Sequence, residues 1–168
     1  MLKKLVVGLY QANCYILGCK ETREGAVIDP GDEMPRIVEE ISKSHLSIKY
    51  ILITHGHFDH SGGVKQLKTI TNAPVMIHRL DASGLNFSPD GYLFERQQLQ
   101  LGTYLLTVLH IPGHSPGGVC LQAPGVVFTG DSLFAGSIGR TDLSGGNHQQ
   151  LTAGIIKKVF PLGDEVRY

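Results

Sequence analysis

The sequence predicts an α/β fold. Short apolar runs of β character alternate with a few amphipathic helical stretches. One run, "KYILIT", is almost uninterruptedly apolar, as expected of a strand covered on both faces. The order of strands followed by a helix, seen in the first half, then restarts in the second.

The elements follow in chain order. "KKLVVGLY", "NCYILGC" and "GAVIDPG" read as three strands with turn residues between them, the first turn lying near Gln11 to Asn13. A helix is expected over 32–45, with Asp32 as its cap, Pro35 in its first turn, and Ile37, Val38 and Ile41 as its apolar face. After "KYILIT", a second helix is expected over 62–71, carrying Val64, Leu67 and Ile70 on one side, and "APVMIH" is a further buried strand. The segment 79–96 is less regular and reads either as a lid over a site or as a surface connection. Four strands follow in "QLQLG", "YLLTVLHIPG", "GVCLQAP" and "GVVFTGD". A last helix is expected over 147–160. Asn147 and Gln150 suggest a capping box, Leu151, Ile155 and Val159 share a face, and Lys157 and Lys158 suit the final turn. The chain as given ends in "DEVRY", which reads as the start of another strand.

Bulk properties bound the function. With 168 residues, 42% hydrophobic and 18% charged, the chain has the composition of one ordinary globular domain, residues 1–168. Fifteen basic and fifteen acidic side chains balance, so nothing points to a charged nucleic-acid or membrane surface. No apolar stretch approaches the roughly 20 residues that span a bilayer. The apolar run in "MLKKLVVGLYQANCYILGC" is broken by Gln11 and Asn13, which argues for two strands rather than a secretory signal. Three cysteines, Cys14, Cys19 and Cys120, form no CxxC pair and read as free thiols in a reducing compartment, so a cytoplasmic location is expected.

The segment "THGHFDH" carries the chemistry. His55, His57, Asp59 and His60 crowd into six residues directly after a buried strand. Carboxyl ends of strands are favoured ligand sites in α/β sheets. Imidazole and carboxylate without thiolate form an N/O donor set that suits zinc, iron or manganese. His55 and His57 can meet one ion, and Asp59 and His60, further along, a second. "IPGHSPGG" places His114, and "VFTGDSLF" places Asp131, each after another strand. Either residue alone reads as structural, but three loops in a repeated layout read as one site. His45 and His148 read as exposed, and His78 and His110 as packing residues. Arg140 in "GRTD" either pairs with Asp142 or faces a substrate. Cys14 and Cys120 read as packing residues.

"THGHFDH", "PGHSPGG" and "FTGDSLF" resemble the ordered ligand motifs of the metallo-β-lactamase superfamily, the first matching HxHxDH without departure. "GDSLFAGSIGRTD" and "GGNHQQL" are most similar to small, single-domain glyoxalase II-type hydroxyacylglutathione hydrolases. The resemblance implies an αββα sandwich of two mixed sheets with outer helices. It implies two divalent metal ions, zinc foremost. His55, His57 and His114 would ligate the first, Asp59 and His60 the second, and Asp131 would bridge them. It also implies hydrolysis of thioesters such as S-2-hydroxyacylglutathione by a metal-bound hydroxide, with Asp59 orienting the nucleophile.

The family's late "GHG" histidine has no counterpart here. The expectation is a chain cut short of its C-terminal strand and helix, or else a natural variant with a weakened second site. The helical C-terminal domain through which larger glyoxalase II enzymes hold glutathione is also missing, which leaves the thiol carrier open. Rival readings are a mononuclear-iron persulfide dioxygenase of the same superfamily, suggested by "GRTD", a lactone or ester hydrolase, and a catalytically weak metal-binding fragment.

Overall fold

The computed structural model describes residues 1–163, 166 and 167. Its strands form two main sheets and a short two-stranded ribbon. In the first, β1 (Leu2–Val7), β2 (Ala12–Gly18), β3 (Glu24–Ile28), β4 (Ser47–Ile53), β5 (Val75–His78) and β6 (Gly91–Leu93) lie side by side in chain order. The first three run antiparallel, and from β3 to β6 the pairings are parallel. The second sheet is an antiparallel meander of β7 (Gln98–Leu101), β8 (Tyr104–His110), β9 (Val119–Ala123) and β10 (Val126–Phe128). Arg167 adds an isolated parallel bridge to Val126; of the strand expected in "DEVRY", Asp164, Glu165 and Tyr168 lie outside the described residues. That bridge is the second sheet's single parallel contact among the described residues. A short ribbon, β11 (Leu133–Phe134) with β12 (Ser137–Ile138), follows.

The sheets pack face to face. Leu17, Ala26, Ile28, Leu52 and Leu93 of the first meet Leu99, Leu106, Val108, Leu121 and Phe128 of the second. Helix α1 (Met34–Ser44) and helix α3 (Val64–Thr71) cover the first sheet's outer face through Met34, Ile37, Ile41, Val64 and Leu67. Leu151 of α4 (His148–Gly154), with Ile155 and Val159 beyond it, covers the second sheet against Leu109, Ile111, Cys120 and Val127. The layers are therefore helix, sheet, sheet, helix. Burial on both faces explains why β4 is nearly all apolar.

Several local expectations needed correction. Asp32 does not cap α1. Its carboxylate accepts the Glu33 N–H at 2.6 Å, and Glu33 holds the cap position in a left-handed conformation with no side-chain cap bond. The second helix is split into α2 (Phe58–Ser61) and α3, separated by Gly62 and Gly63. Ile70 is exposed, because a residue six positions after Val64 is turned about 120° from it on a helix of 3.6 residues per turn. The segment 79–96 is neither simple lid nor simple connection: it holds a 3₁₀ turn, Arg79–Gly84, and strand β6, which completes the first sheet. Asn147 does cap α4 by accepting the Gln150 N–H at 3.0 Å, but the reciprocal half of the box is missing, since the Asn147 N–H goes to the Gly113 carbonyl. Beyond Gly154 the helix widens into a π turn, Ile155–Val159, and then tightens.

Phe128 is the largest fully buried side chain and stands edge-on to Tyr15 across the sheet interface, with ring centroids 5.0 Å apart. Phe128→Ala is expected to cost about 3–5 kcal/mol by urea denaturation. Leu2→Ala, at an exposed site on the edge strand, should change stability by no more than about 0.5 kcal/mol. Equal effects would overturn this account of the core.

Candidate metal centre

Three loops at strand ends converge. β4 delivers Thr54 and His55, both buried, and the chain then turns through His57 into the single-turn helix α2, which presents Asp59 and His60. The loop after β8 brings in His114, and the loop after β10 brings in Asp131. Close backbone approach seats these loops. A Cβ on Gly31 would collide with the Asp59 carbonyl, and one on Gly139 with the Asp131 carbonyl, so both positions require glycine.

One nitrogen each of His55, His57 and His114 lie within 4.8 Å of one another, and the same holds for ligand atoms of His55, His60 and Asp131. The two groups share His55. Asp131 stands between them: Oδ1 is 3.2 Å from His60 Nε2, and Oδ2 is 3.5 Å from His114 Nε2. Asp59 Oδ2 lies 3.6 Å from His60 Nε2. All six residues singled out from the sequence are thus brought together.

Neighbours set which ring nitrogen faces inward. His114 Nδ1–H donates to the Arg140 carbonyl at 2.9 Å, leaving Nε2 bare. His60 Nδ1–H donates to Asp29 at 2.9 Å, which turns Nε2 toward Asp131. Thr54 donates its hydroxyl to Asp29 at 2.6 Å and so accepts from His55 Nδ1, 3.1 Å away. His55 Nε2 is then buried with no hydrogen-bond partner. His57 Nδ1–H then donates to the bare His114 Nε2 at 2.9 Å. An orphaned imidazole nitrogen among inward-facing imidazoles and two carboxylates is what a site for divalent cations requires.

The electrostatics agree. Burial holds the His55 pKa well below that of an ordinary histidine, with a smaller push from His60, His114 and His57. His57 is lowered too, first by burial and then by His114. Burial disfavours charge on His60 as well, but Asp29 and Asp131 together overcome it and raise its pKa to about 10. Burial pushes the Asp131 carboxyl up, yet the His60 hydrogen bond and the surrounding imidazoles outweigh it and hold the pKa below the usual carboxylate value.

Two supporting carboxylates were not anticipated. Asp29, 1% exposed, accepts from the Thr54 N–H at 2.7 Å as well as from Thr54 Oγ1 and His60. Its one sequence signal was a carboxylate at the end of an apolar run in "VIDPG". Asp81 accepts from the Gly56 N–H at 3.0 Å and the Gly117 N–H at 2.6 Å, tying the first histidine loop to the loop of His114. Nothing in the sequence around Asp81 marks it. Arg140 pairs with Asp142 at 2.7 and 2.8 Å, so its contribution to the centre itself is its backbone carbonyl. His78 and His110 stack at 4.1 Å and 11°, as packing residues, and His45 and His148 are exposed. Cys14, Cys19 and Cys120 are buried free thiols.

Residues 7–168 match the metallo-beta-lactamase superfamily. The chain belongs to this family. A hydroxyacylglutathione hydrolase, GloC, of Haemophilus influenzae is 34% identical over 180 residues, covering 95% of this chain and 84% of that protein. ETHE1 from Myxococcus xanthus superposes with a TM-score of 0.92 at 27% identity, covering all of this chain and 74% of the other. TTHA1623, solved in a di-iron-bound form, superposes with a TM-score of 0.81 at 34% identity, covering 99% and 90%. The family connection and the layer order agree, and the chain is an enzyme of the metallo-hydrolase superfamily with a metal-binding centre.

The Asp29 network makes a direct prediction. Asp29→Ala leaves a buried imidazole, a hydroxyl and a backbone N–H without their acceptor. It should cost the metal-free chain about 3–5 kcal/mol in urea denaturation and weaken metal binding about 10- to 100-fold. Unchanged stability and affinity would show that Asp29 does not hold the centre in place.

Proposed function

We propose that this chain is a metal-dependent hydrolase that cleaves thioesters such as S-2-hydroxyacylglutathione. The observation that carries the reading is the pair of ligand groups sharing His55, with one Asp131 oxygen turned toward each. The similarity to GloC supports the substrate class. In this reading His55, His57 and His114 hold one divalent ion, Asp59 and His60 a second, and Asp131 both. Zinc is the proposed metal, since imidazole and carboxylate donors suit it, although iron and manganese accept the same set.

The ions would supply an acidified water and positive charge for the carbonyl oxygen of the substrate. The chain's own residues prepare the ground. Asp29 and the Arg140 carbonyl fix the tautomers of His60 and His114. Asp59, with its side chain partly exposed, would accept a hydrogen bond from the attacking water and so orient it. A thiolate departs readily, its conjugate acid having a pKa of about 8.5, so no strong general acid is needed. A cysteine nucleophile fits poorly. Burial pushes the Cys120 thiol up to about 12 and raises Cys14 as well.

A second reading, a persulfide dioxygenase with one iron, draws support from "GRTD" and from the superposition on ETHE1 over the whole chain. It ranks lower because one iron leaves Asp59 and His60 without a role. No helix among the described residues is long and apolar enough to cross a membrane. With three free thiols, a cytoplasmic location is the proposal.

The deciding experiment is thioester hydrolysis by metal-replete and chelator-stripped protein, with metal counted per chain. Two zinc ions and metal-dependent cleavage are expected, whereas one iron and no cleavage would favour the dioxygenase. His57→Ala should lower kcat/KM more than about 100-fold, and exposed His148→Ala should leave most of it. Equal losses would make His148 functional.

Metal titration of these 168 residues should resolve a tighter and a weaker site. The first position is offered three imidazoles, and the second one imidazole from His60 with carboxylates. Two equally tight sites would refute the assignment. Loading should also release a proton. A raised His60 is protonated in the metal-free chain below a pH of about 10 and must lose that proton to become a ligand. Calorimetry near pH ~8 in buffers of different ionisation enthalpy should show at least one proton released per chain, that of His60 in addition to any from metal-bound water, with the His60 share fading as the pH rises through its own value. No release would remove His60 from the ligand set.

A further inference from the structure

Beside the centre lies a cavity of about 400 Å³, within the range of small-molecule sites. His60 and Asp131 line its inner end. The opposite wall comes from the β1–β2 hairpin, through Lys4, Asn13 and Tyr15. The hairpin register explains the grouping. Lys4 pairs with Tyr15, and Asn13 lies two residues from Tyr15, so all three side chains leave the same face of the ribbon. Lys3 points the other way and is tied to Glu40 of α1 at 3.3 Å. Lys4 makes no ion pair among the described residues, and the side-chain amide of Asn13 and hydroxyl of Tyr15 make no hydrogen bond among them. Leu133 and Phe134 form an apolar flank.

Three uncommitted donors, one of them cationic, face a cavity that opens on the reacting centre. We propose that this cavity is the specificity subsite for a carboxylate carried by the substrate, with Lys4 as its anchor and Asn13 and Tyr15 as neutral donors. The inference rests on the thioesterase reading and adds the substrate class: thioesters with an anionic arm are preferred over neutral ones of the same shape. Lys4 is a binding residue here. It stands on an exposed edge strand and is not among the residues that hold metal.

The test uses metal-replete protein and three substrates. S-lactoyl-N-acetylglutathione carries carboxylates on the thiol arm, its dimethyl ester carries no charge, and the succinyl thioester of N-acetylcysteamine carries one carboxylate on the acyl arm. Wild-type protein should show a lower KM for one of the two anionic substrates than for the neutral ester, and which one identifies the arm that enters the cavity. Lys4→Ala should raise that KM roughly tenfold with kcat little changed. It should leave the neutral ester and the metal content unaltered, and Lys4→Arg should restore most of the loss. Equal changes on anionic and neutral substrates, or none on either, overturn the subsite.

A binding measurement separates this inference from the thioesterase reading. Metal-free protein is titrated with S-methylglutathione, which cannot be hydrolysed, and with its dimethyl ester. Tighter binding of the free acid that is lost in Lys4→Ala upholds the subsite even if no thioester is cleaved. Absence of that difference, together with Lys4-independent cleavage, overturns the subsite and leaves the thioesterase standing.

Discussion

The centre depends on one buried carboxylate. Asp29 is almost completely enclosed, yet it accepts three hydrogen bonds, from the Thr54 N–H, the Thr54 hydroxyl and His60. An ionised carboxylate is costly to bury alone, and pairing with hydrogen-bond donors offsets the cost. Those donors belong to the strand end and helix that carry the ligands. Satisfying Asp29 therefore orients His60 directly and His55 through Thr54.

The sandwich makes that arrangement possible. Parallel pairing of β3 with β4 brings Asp29, just past the end of β3, level with Thr54, just past the end of β4. Packing of the second sheet against the first then delivers His114 and Asp131 from the far side. Asp81 ties these halves together by accepting from the backbone of both histidine loops. The ligand-bearing loops are thus held by strand ends and tight glycine contacts, which suits a site that must keep several imidazoles in a fixed, crowded arrangement.

The site also has a direction. Its buried side is closed by Thr54, Asp29 and the sheet interface, while its open side faces the cavity under the β1–β2 hairpin. His57, Asp59 and Asp131 are the partly exposed members of the centre, and His55, His60 and His114 are buried. Chemistry is accordingly confined to one face, where a substrate can meet both carboxylates and the hairpin's free lysine.

The sequence by itself determined nine of the strands, the main helical stretches and the six converging residues. Those signals are local: alternation of apolar runs, a dense His and Asp motif after a buried strand, and Gly and Pro turns around His114. The apolar face of 147–160 was equally legible, because helical periodicity survives the change to a π turn. Only the tertiary structure decided the rest. Asp29 acts on a histidine 31 positions away, and Asp81 on a loop 36 positions away, so no local pattern could mark either. The support that Arg140 gives His114 comes from a backbone carbonyl, which every residue possesses and no sequence signals. Strand β6 was hidden because three residues are too few to show alternation, and its place is set by pairing with β5. Lys3 and Lys4 read alike as charged neighbours, and the two-residue pleat alone turned one toward a helix and the other toward the cavity.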